Sequence, residues 1–231
     1  MDDLVKQTTA SIPDQAREAL WARGVTDEQI KSFQIGHLDG LLPEGEYPQN
    51  FLRWCGVEGR LDDVFVLPLT NTLGHIRGLQ LRHVQRDRSE YMTFVEVQDE
   101  AIFFGLGQAA PTMWSEQRVW LVEGAFDLFP VQRAFPGTVS TLTARVTEPL
   151  LRLMRRLVTR IWLGYDMDPP GRRACERYKK QLDAEKFDVR VVNYPKEKMF
   201  SSGQFIKDPG DLWETWGDAR FQEFVKTLVG K

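Results

Sequence analysis

Four acidic residues stand where two short apolar runs end. Val119-Trp120-Leu121-Val122 leads directly into Glu123, with Gly124 next and Asp127 three residues beyond it. Ile161-Trp162-Leu163-Gly164-Tyr165 leads into Asp166, with Asp168 two residues on and Pro169-Pro170-Gly171 behind it. In a parallel α/β sheet, ligands bind just outside the carboxyl ends of the strands. Carboxylates gathered there repel one another and raise one another's pKa. A divalent cation between them removes that cost. Magnesium takes oxygen ligands, keeps several waters, and commonly uses a few carboxylates together with a substrate phosphate. An extended Asp-x-Asp would present both side chains to one face. Lys207-Asp208-Pro209-Gly210-Asp211 adds acid after a third apolar run, Val189 to Val192, and a long loop. Asp-x-Asp alone is common in turns and helix caps, and Glu-Gly-x-x-Asp alone is little better. The two together, at successive strand ends, point to magnesium-assisted phosphoryl transfer.

These side chains need an alternating framework to hold them. From Arg118 onward the pattern supplies one. Strands are expected at Arg118 to Val122, Thr138 to Leu142, Ile161 to Tyr165 and Val189 to Val192. Helices are expected from Gly124 to Phe135, interrupted at Pro130, from Thr147 to about Thr159, and from Arg172 to Lys186. A last helix starts at Asp211 or Asp218. Strands alternating with helices argue a mostly parallel sheet covered by helices. Residues 111–117 read as a junction. Upstream, Ile12 to Phe33 reads as a helix hairpin broken at Gly24, with Thr26 as an N-cap. Residues 36–60 read as turns with a helix from Gln49. An antiparallel hairpin is expected from Val64-Phe65-Val66-Leu67-Pro68-Leu69, a turn at Asn71 to Gly74, and a returning strand from His75 to Val84. Tyr91 to Val97 is a further strand. The expected fold class is therefore α/β in two parts: an α+β subdomain over residues 1–110, and a parallel sheet with flanking helices and a helical tail over 111–231.

The whole chain narrows the function. Its 231 residues suffice for one sizeable domain or two small ones. A net charge of −3 gives no global basic excess, so any nucleic-acid role must rest on a local patch. The two cysteines, Cys55 and Cys175, lie far apart and the three histidines are scattered, which argues against a structural zinc module. The start of the chain lacks the pattern of a signal peptide, and no apolar stretch approaches 18 residues. A cytoplasmic protein with reduced cysteines and no membrane association is expected.

The residues also carry a family resemblance. Trp120 to Asp127 resembles the glutamate-bearing motif of the toprim domain. Gly164 to Gly171 resembles its Asp-x-Asp motif, in the glycine-followed version typical of bacterial primases. Val139-Ser140-Thr141-Leu142 through Thr147 resembles the linking strand and helix start, with Thr143-Ala144 where the family usually has Gly-Thr. Lys207 to Leu212 resembles the acidic Asp-Pro motif of primases and phage primase-helicases. Ala19 to Gly36, Val66 to Leu69, Gly78 to Arg82 and Phe104-Gly105-Leu106 are similar to the upstream part of the primase catalytic core. Tyr91-Met92-Thr93 departs from its Lys-Tyr-Leu-Asn pattern. The resemblance covers roughly residues 16 to 217. The family's zinc-binding and helicase-interacting domains have no counterpart in the sequence, for which a need for a partner, a phage or mobile-element origin and a loss of activity are the alternatives.

The resemblance implies a toprim Rossmann-like domain and magnesium-dependent, template-directed RNA primer synthesis on single-stranded DNA from ribonucleoside triphosphates. Manganese can stand for magnesium. Asp166 and Asp168 are the leading metal ligands. Asp208 is a further ligand and Asp211 a weaker one. Glu123 is a ligand or a general base, and Asp127 supports the site from its edge. Gly124, Gly171 and Lys207 support the motifs. Arg77 and Arg82 would contact template or triphosphate, or simply form a solvated strand face. Arg152, Arg155, Arg156 and Arg160 read as the wet face of a helix, with a nucleic-acid patch as the second reading. A replicative helicase or a separate zinc-binding protein would be the partner. The alternatives are a toprim nuclease using the same acids, and a catalytically silent nucleic-acid-binding or replication-accessory protein.

Overall fold

The computed structural model describes residues 1–10, 12–47, 49–55, 60–85, 91–95, 103–142, 147–199 and 202–230. The Thr143-Ala144 departure falls outside them, as do Arg86 and Arg88, which follow the expected hairpin and add to its basic residues in the sequence. The chain divides into two compact units, Met1–Ile102 and Phe103–Lys231. A division at 110/111 would cut a helix, because Leu106–Glu116 is one continuous α-helix.

The first unit is α+β. Helices α1 (Asp2–Thr9), α2 (Asp14–Trp21), α3 (Asp27–Ser32) and α4 (Gln49–Cys55) accompany strands β1 (Gly36–Leu41), β2 (Arg60–Thr70), β3 (Ile76–His83) and β4 (Tyr91–Val95). The strands form an antiparallel sheet in the order β1-β2-β3-β4. Thr26 caps α3 in a full capping box with Gln29, as the sequence predicts. Neither α1 nor β1 was expected. β1 has weak alternation because it bulges between Leu38 and Gly40, where Gly40 adopts a φ of +114°. Leu4 and Val5 of α1 and Phe51 of α4 pack against Val64, Val66, Leu79, Leu81 and Phe94.

Arg77 and Arg82 both lie on β3. The register with β2 slips here, Leu69 pairing with Gly78 and Thr70 with Ile76, so a bulge at Arg77 breaks the simple alternation between the two arginines.

The second unit is the expected parallel sheet. α5 (Leu106–Glu116) precedes β5 (Arg118–Val122), α6 (Ala125–Gln132), β6 (Thr138–Ser140), α7 (Glu148–Leu157), β7 (Arg160–Gly164), α8 (Pro169–Ala184), β8 (Asp188–Val191), α9 (Pro209–Trp216) and α10 (Asp218–Val229). The order is β6-β5-β7-β8, with every pairing parallel. β5 and β7 are central, and Val119 to Val122 and Ile161 to Gly164 are buried. That explains why they read as unbroken apolar runs rather than alternating ones. Trp120 and Trp162 are register partners with stacked rings 6.5 Å apart. α7 buries Leu150, Leu151, Met154 and Leu157. On its outer side Arg155 pairs with Glu148 and Glu185, and Arg160 at the start of β7 pairs with Asp188. These arginines form the solvated face preferred from the sequence. Among the described residues no helix is long and apolar enough to cross a membrane.

The strand order decides where a ligand can enter. The chain leaves β5 toward β6 on one side, and leaves β7 toward β8 on the other. Connections that depart in opposite directions open a crevice between the carboxyl ends of two adjacent strands. Here those strands are β5 and β7, and the residues that follow them include Glu123 and Asp166.

Candidate active site

Each acid at this crevice is positioned by backbone. Glu123 follows β5 directly, and the Ser140 hydroxyl at the end of β6 donates to its carbonyl at 3.0 Å. Its carboxylate accepts from the Asp166 backbone N–H. Asp127 is the third residue of α6, and its Oδ2 accepts from the Gly124 N–H at 3.1 Å. Asp168 is the N-cap of α8, and its Oδ1 accepts from the Gly171 N–H at 2.7 Å. Asp208 is the N-cap of α9, and its Oδ1 accepts from the Asp211 N–H at 2.7 Å. Asp211 in turn accepts from the Lys207 N–H at 3.2 Å. The acids therefore sit at or beside the first turns of α6, α8 and α9, where the unpaired N–H groups and positive dipole ends favour anions.

The loops are tied together. The Met167 N–H donates to the Lys207 carbonyl at 2.6 Å, which brings the Asp166–Asp168 loop against the start of α9. The Lys207 Nζ lies 3.3 Å from Asp208 Oδ2 and 3.7 Å from Asp166 Oδ2. Tyr194, buried, donates its hydroxyl to the Gly164 carbonyl at 2.9 Å and braces the end of β7.

The electrostatics record this crowding. Burial first, and then repulsion from Asp208 and Glu123, pushes Asp166 up to about 7. Burial and Asp208 push Asp211 up to about 6. Glu123 is raised by burial and by Asp168, and Asp127 is raised well above its ordinary value by burial, Asp208 and Asp166. Burial alone would lower Lys207. Asp208 and Asp166 together outweigh it and hold the ammonium above its usual range.

This arrangement fits a cation. Glu123 Oε2 is buried and has no hydrogen-bond partner among the described residues. A lysine ammonium already lies between two of the carboxylates. Among the described residues no three His, Cys, Asp or Glu side chains form a ready-made metal cage. Magnesium does not require one, since it binds through one or two carboxylates with waters and substrate phosphate.

The structure thus brings Glu123, Asp127, Asp166, Asp168, Lys207, Asp208 and Asp211 to one place. Asp168 differs from the sequence picture. It does not extend a strand beside Asp166 but turns to cap α8. Ser140 and Tyr194 were not foreseen as supports. A serine at a strand end and a tyrosine in a long loop carry no distinctive signal.

Gly171 is where the Asp166 loop and α8 meet most tightly. A Cβ there would lie 2.1 Å from the Asp166 carbonyl oxygen and 2.8 Å from its carbon. Gly171→Ala is expected to destabilise the chain by roughly 1–3 kcal/mol through overpacking. It should also blunt the rise in melting temperature on adding magnesium. Thermal unfolding with and without the ion checks both.

Known proteins resemble this chain in sequence and in fold. Residues 120–201 match a family model described as toprim-like. Over 90% of this chain, the DNA primase of Lactococcus lactis is 25% identical, and over 92% that of Deinococcus radiodurans is 28% identical. The chain spans 36% and 39% of the length of those two relatives. A solved DnaG catalytic core superposes with a TM-score of 0.77 at 23% identity, covering 98% of this chain and 78% of that one. The Escherichia coli primase catalytic core gives 0.72 at 21%, covering 99% and 78%. The zinc-binding and RNA polymerase domains of the Aquifex aeolicus primase give 0.73 at 20%, covering 98% and 59%. The chain has the fold of the bacterial primase catalytic core, with a toprim-like domain inside it.

Proposed function

We propose that this chain catalyses template-directed RNA primer synthesis by divalent-metal-dependent nucleotidyl transfer on single-stranded DNA. The observation that carries it is the crevice between β5 and β7, where six acidic side chains gather, five of them held by backbone amides, and Lys207 pairs with Asp166 and Asp208. The primase relatives favour synthesis over strand cleavage or a silent binding role. A DnaG catalytic domain has been solved bound to single-stranded DNA, with a TM-score of 0.74 at 22% identity and 98% of this chain covered.

Asp166, Asp168 and Asp208 would hold the metal, magnesium or manganese, and Glu123 would be either a further ligand or the general base. When bound, the ion supplies charge stabilisation at the attacking and leaving oxygens. The chain's own residues do the rest. Glu123, with its raised proton affinity, can take the proton of the attacking 3′-hydroxyl through its unpartnered Oε2. Lys207 can turn from the carboxylates to the triphosphate as negative charge builds there. Asp127 holds the start of α6 and keeps the Glu123-Gly124 turn in shape. Gly124 and Gly171 supply the amides that orient Asp127 and Asp168. Asp211 fixes the Lys207 peptide. Arg77 and Arg82 would contact template or triphosphate from the first sheet. A helicase or zinc-binding partner would act through other surfaces.

The test is an assay on single-stranded DNA with ribonucleotides and magnesium. Short RNA products that vanish in EDTA are expected. Cleavage of labelled DNA without nucleotides, and no RNA product, would overturn the proposal in favour of a nuclease.

A further inference from the structure

Next to the acid crevice, within the same unit, lies a pocket of about 340 Å³ whose walls include Met167, Arg172, Tyr194, Lys196, Phe205 and Ile206. Two of these walls are fixed to the crevice. Met167 sits between Asp166 and Asp168 and is bonded to Lys207, and Ile206 immediately precedes Lys207. Arg172, on α8, donates its Nε to the Met167 carbonyl, so its guanidinium is held at the pocket wall.

The chemistry of the lining is specific. Phe205 leaves 63% of its surface in solvent, while Met199 and Ile206 of the same hairpin are buried. The Lys198 ammonium lies 5.4 Å from its ring centroid. Arg172 and Lys196 contribute two more positive charges, and no carboxylate lines the pocket. The hairpin that carries Phe205 is braced. Lys198 and Phe205 form an antiparallel bridge, the Ile206 N–H donates to Glu197 at 2.9 Å, and Trp216 Nε1 donates to the Glu197 carboxylate at 2.8 Å. The pocket is therefore formed before a ligand arrives, which lowers the cost of binding.

An exposed aromatic face among cations suits a flat ring joined to a phosphate. The geometry points to a pocket for one nucleotide unit, its base against Phe205 and its phosphate between Arg172 and Lys196, opening onto the acid crevice. The assignment rests on the nucleotidyl-transfer reading of that crevice. The unit can come from the free ribonucleoside triphosphate or from a strand residue.

Binding of a fluorescent ATP analogue and of a labelled oligothymidylate should be measured on the full chain, on Phe205→Ala and on Lys196→Ala. Circular dichroism would check that both variants fold. Loss of one stacked base corresponds to about tenfold weaker binding. If the source is the free nucleotide, analogue binding weakens about tenfold and oligothymidylate binding does not change. If it is the strand, the reverse holds. Unchanged affinity for both ligands in both folded variants overturns the pocket, even where primer synthesis is intact. Phe205-dependent nucleotide binding by a wild-type chain that makes no RNA keeps the pocket and overturns the turnover reading.

Discussion

Asp166→Asn is expected to reduce metal-dependent primer synthesis roughly a thousandfold while the chain stays folded. A metal-held charge contributes several kcal/mol to a transition state, and each 1.36 kcal/mol is a factor of ten. Asp166 is the right residue for the test because the Lys207 ammonium marks where its carboxylate meets positive charge, and because it caps no helix among the described residues. Asp168 and Asp208 are less clean, since each caps a helix and its loss would also loosen α8 or α9. A second signature separates loss of chemistry from loss of fold. Removing one of several mutually repelling carboxylates should leave the metal-free variant at least as thermostable as wild type. Synthesis by Asp166→Asn at the wild-type rate would remove this residue from the metal site.

Without metal, the chain is expected to lose stability as pH rises from about 4 to about 7. Asp166 holds its proton up to about 7 in the folded chain, against 3.8 for an unperturbed aspartate. Between those values the folded state carries more protons than the unfolded state, so stability falls with rising pH. The size is a few kcal/mol, on the order of 1.4 per pH unit for one such group. Asp211 acts in the same direction up to about 6, and Glu123 and Asp127 share that sign. Lys207 does not oppose them in this range, because its raised pKa withholds its effect until pH passes the ordinary lysine value. Magnesium should reverse the loss at pH 8, where the cluster is ionised, and do little at pH 5, where protons compete for the same oxygens. Thermal melts in EDTA at pH 5 and pH 8, with and without excess magnesium, give the answer. Asp166→Asn should flatten the slope. A metal-free wild type that melts higher at pH 8 than at pH 5, with no flattening in the variant, would contradict this account.

The C-terminal unit was far more legible in the sequence than the N-terminal one, for a physical reason. β5 and β7 are buried on both faces, so their apolar runs are continuous and the acids that end them are conspicuous. The amphipathic stripe of α7 and the Thr26 capping box are equally local signals. By contrast, β1 is short, bulged and half polar. α5 carries Pro111 inside it and is made visible only by burying Leu106, Ala109, Ala110 and Met113. Long-range facts were beyond reach: that Lys207 lies between Asp166 and Asp208, that Tyr194 reaches back to Gly164, and that Phe205 stands at a pocket mouth.

The amides that hold Glu123, Asp127, Asp168, Asp208 and Asp211 each occupy one oxygen of the carboxylate they anchor. A carboxylate held in this way has one oxygen free of the anchor, and its anchored oxygen is the poorer donor to an ion. Ligation by these acids would be monodentate and the ion would keep much of its own water. Calcium gathers six to eight oxygens and often grips carboxylates by both, whereas magnesium is content with few protein ligands and several waters. Discrimination between the two would then be set by main-chain hydrogen bonds, and would survive side-chain changes that leave the loops in place.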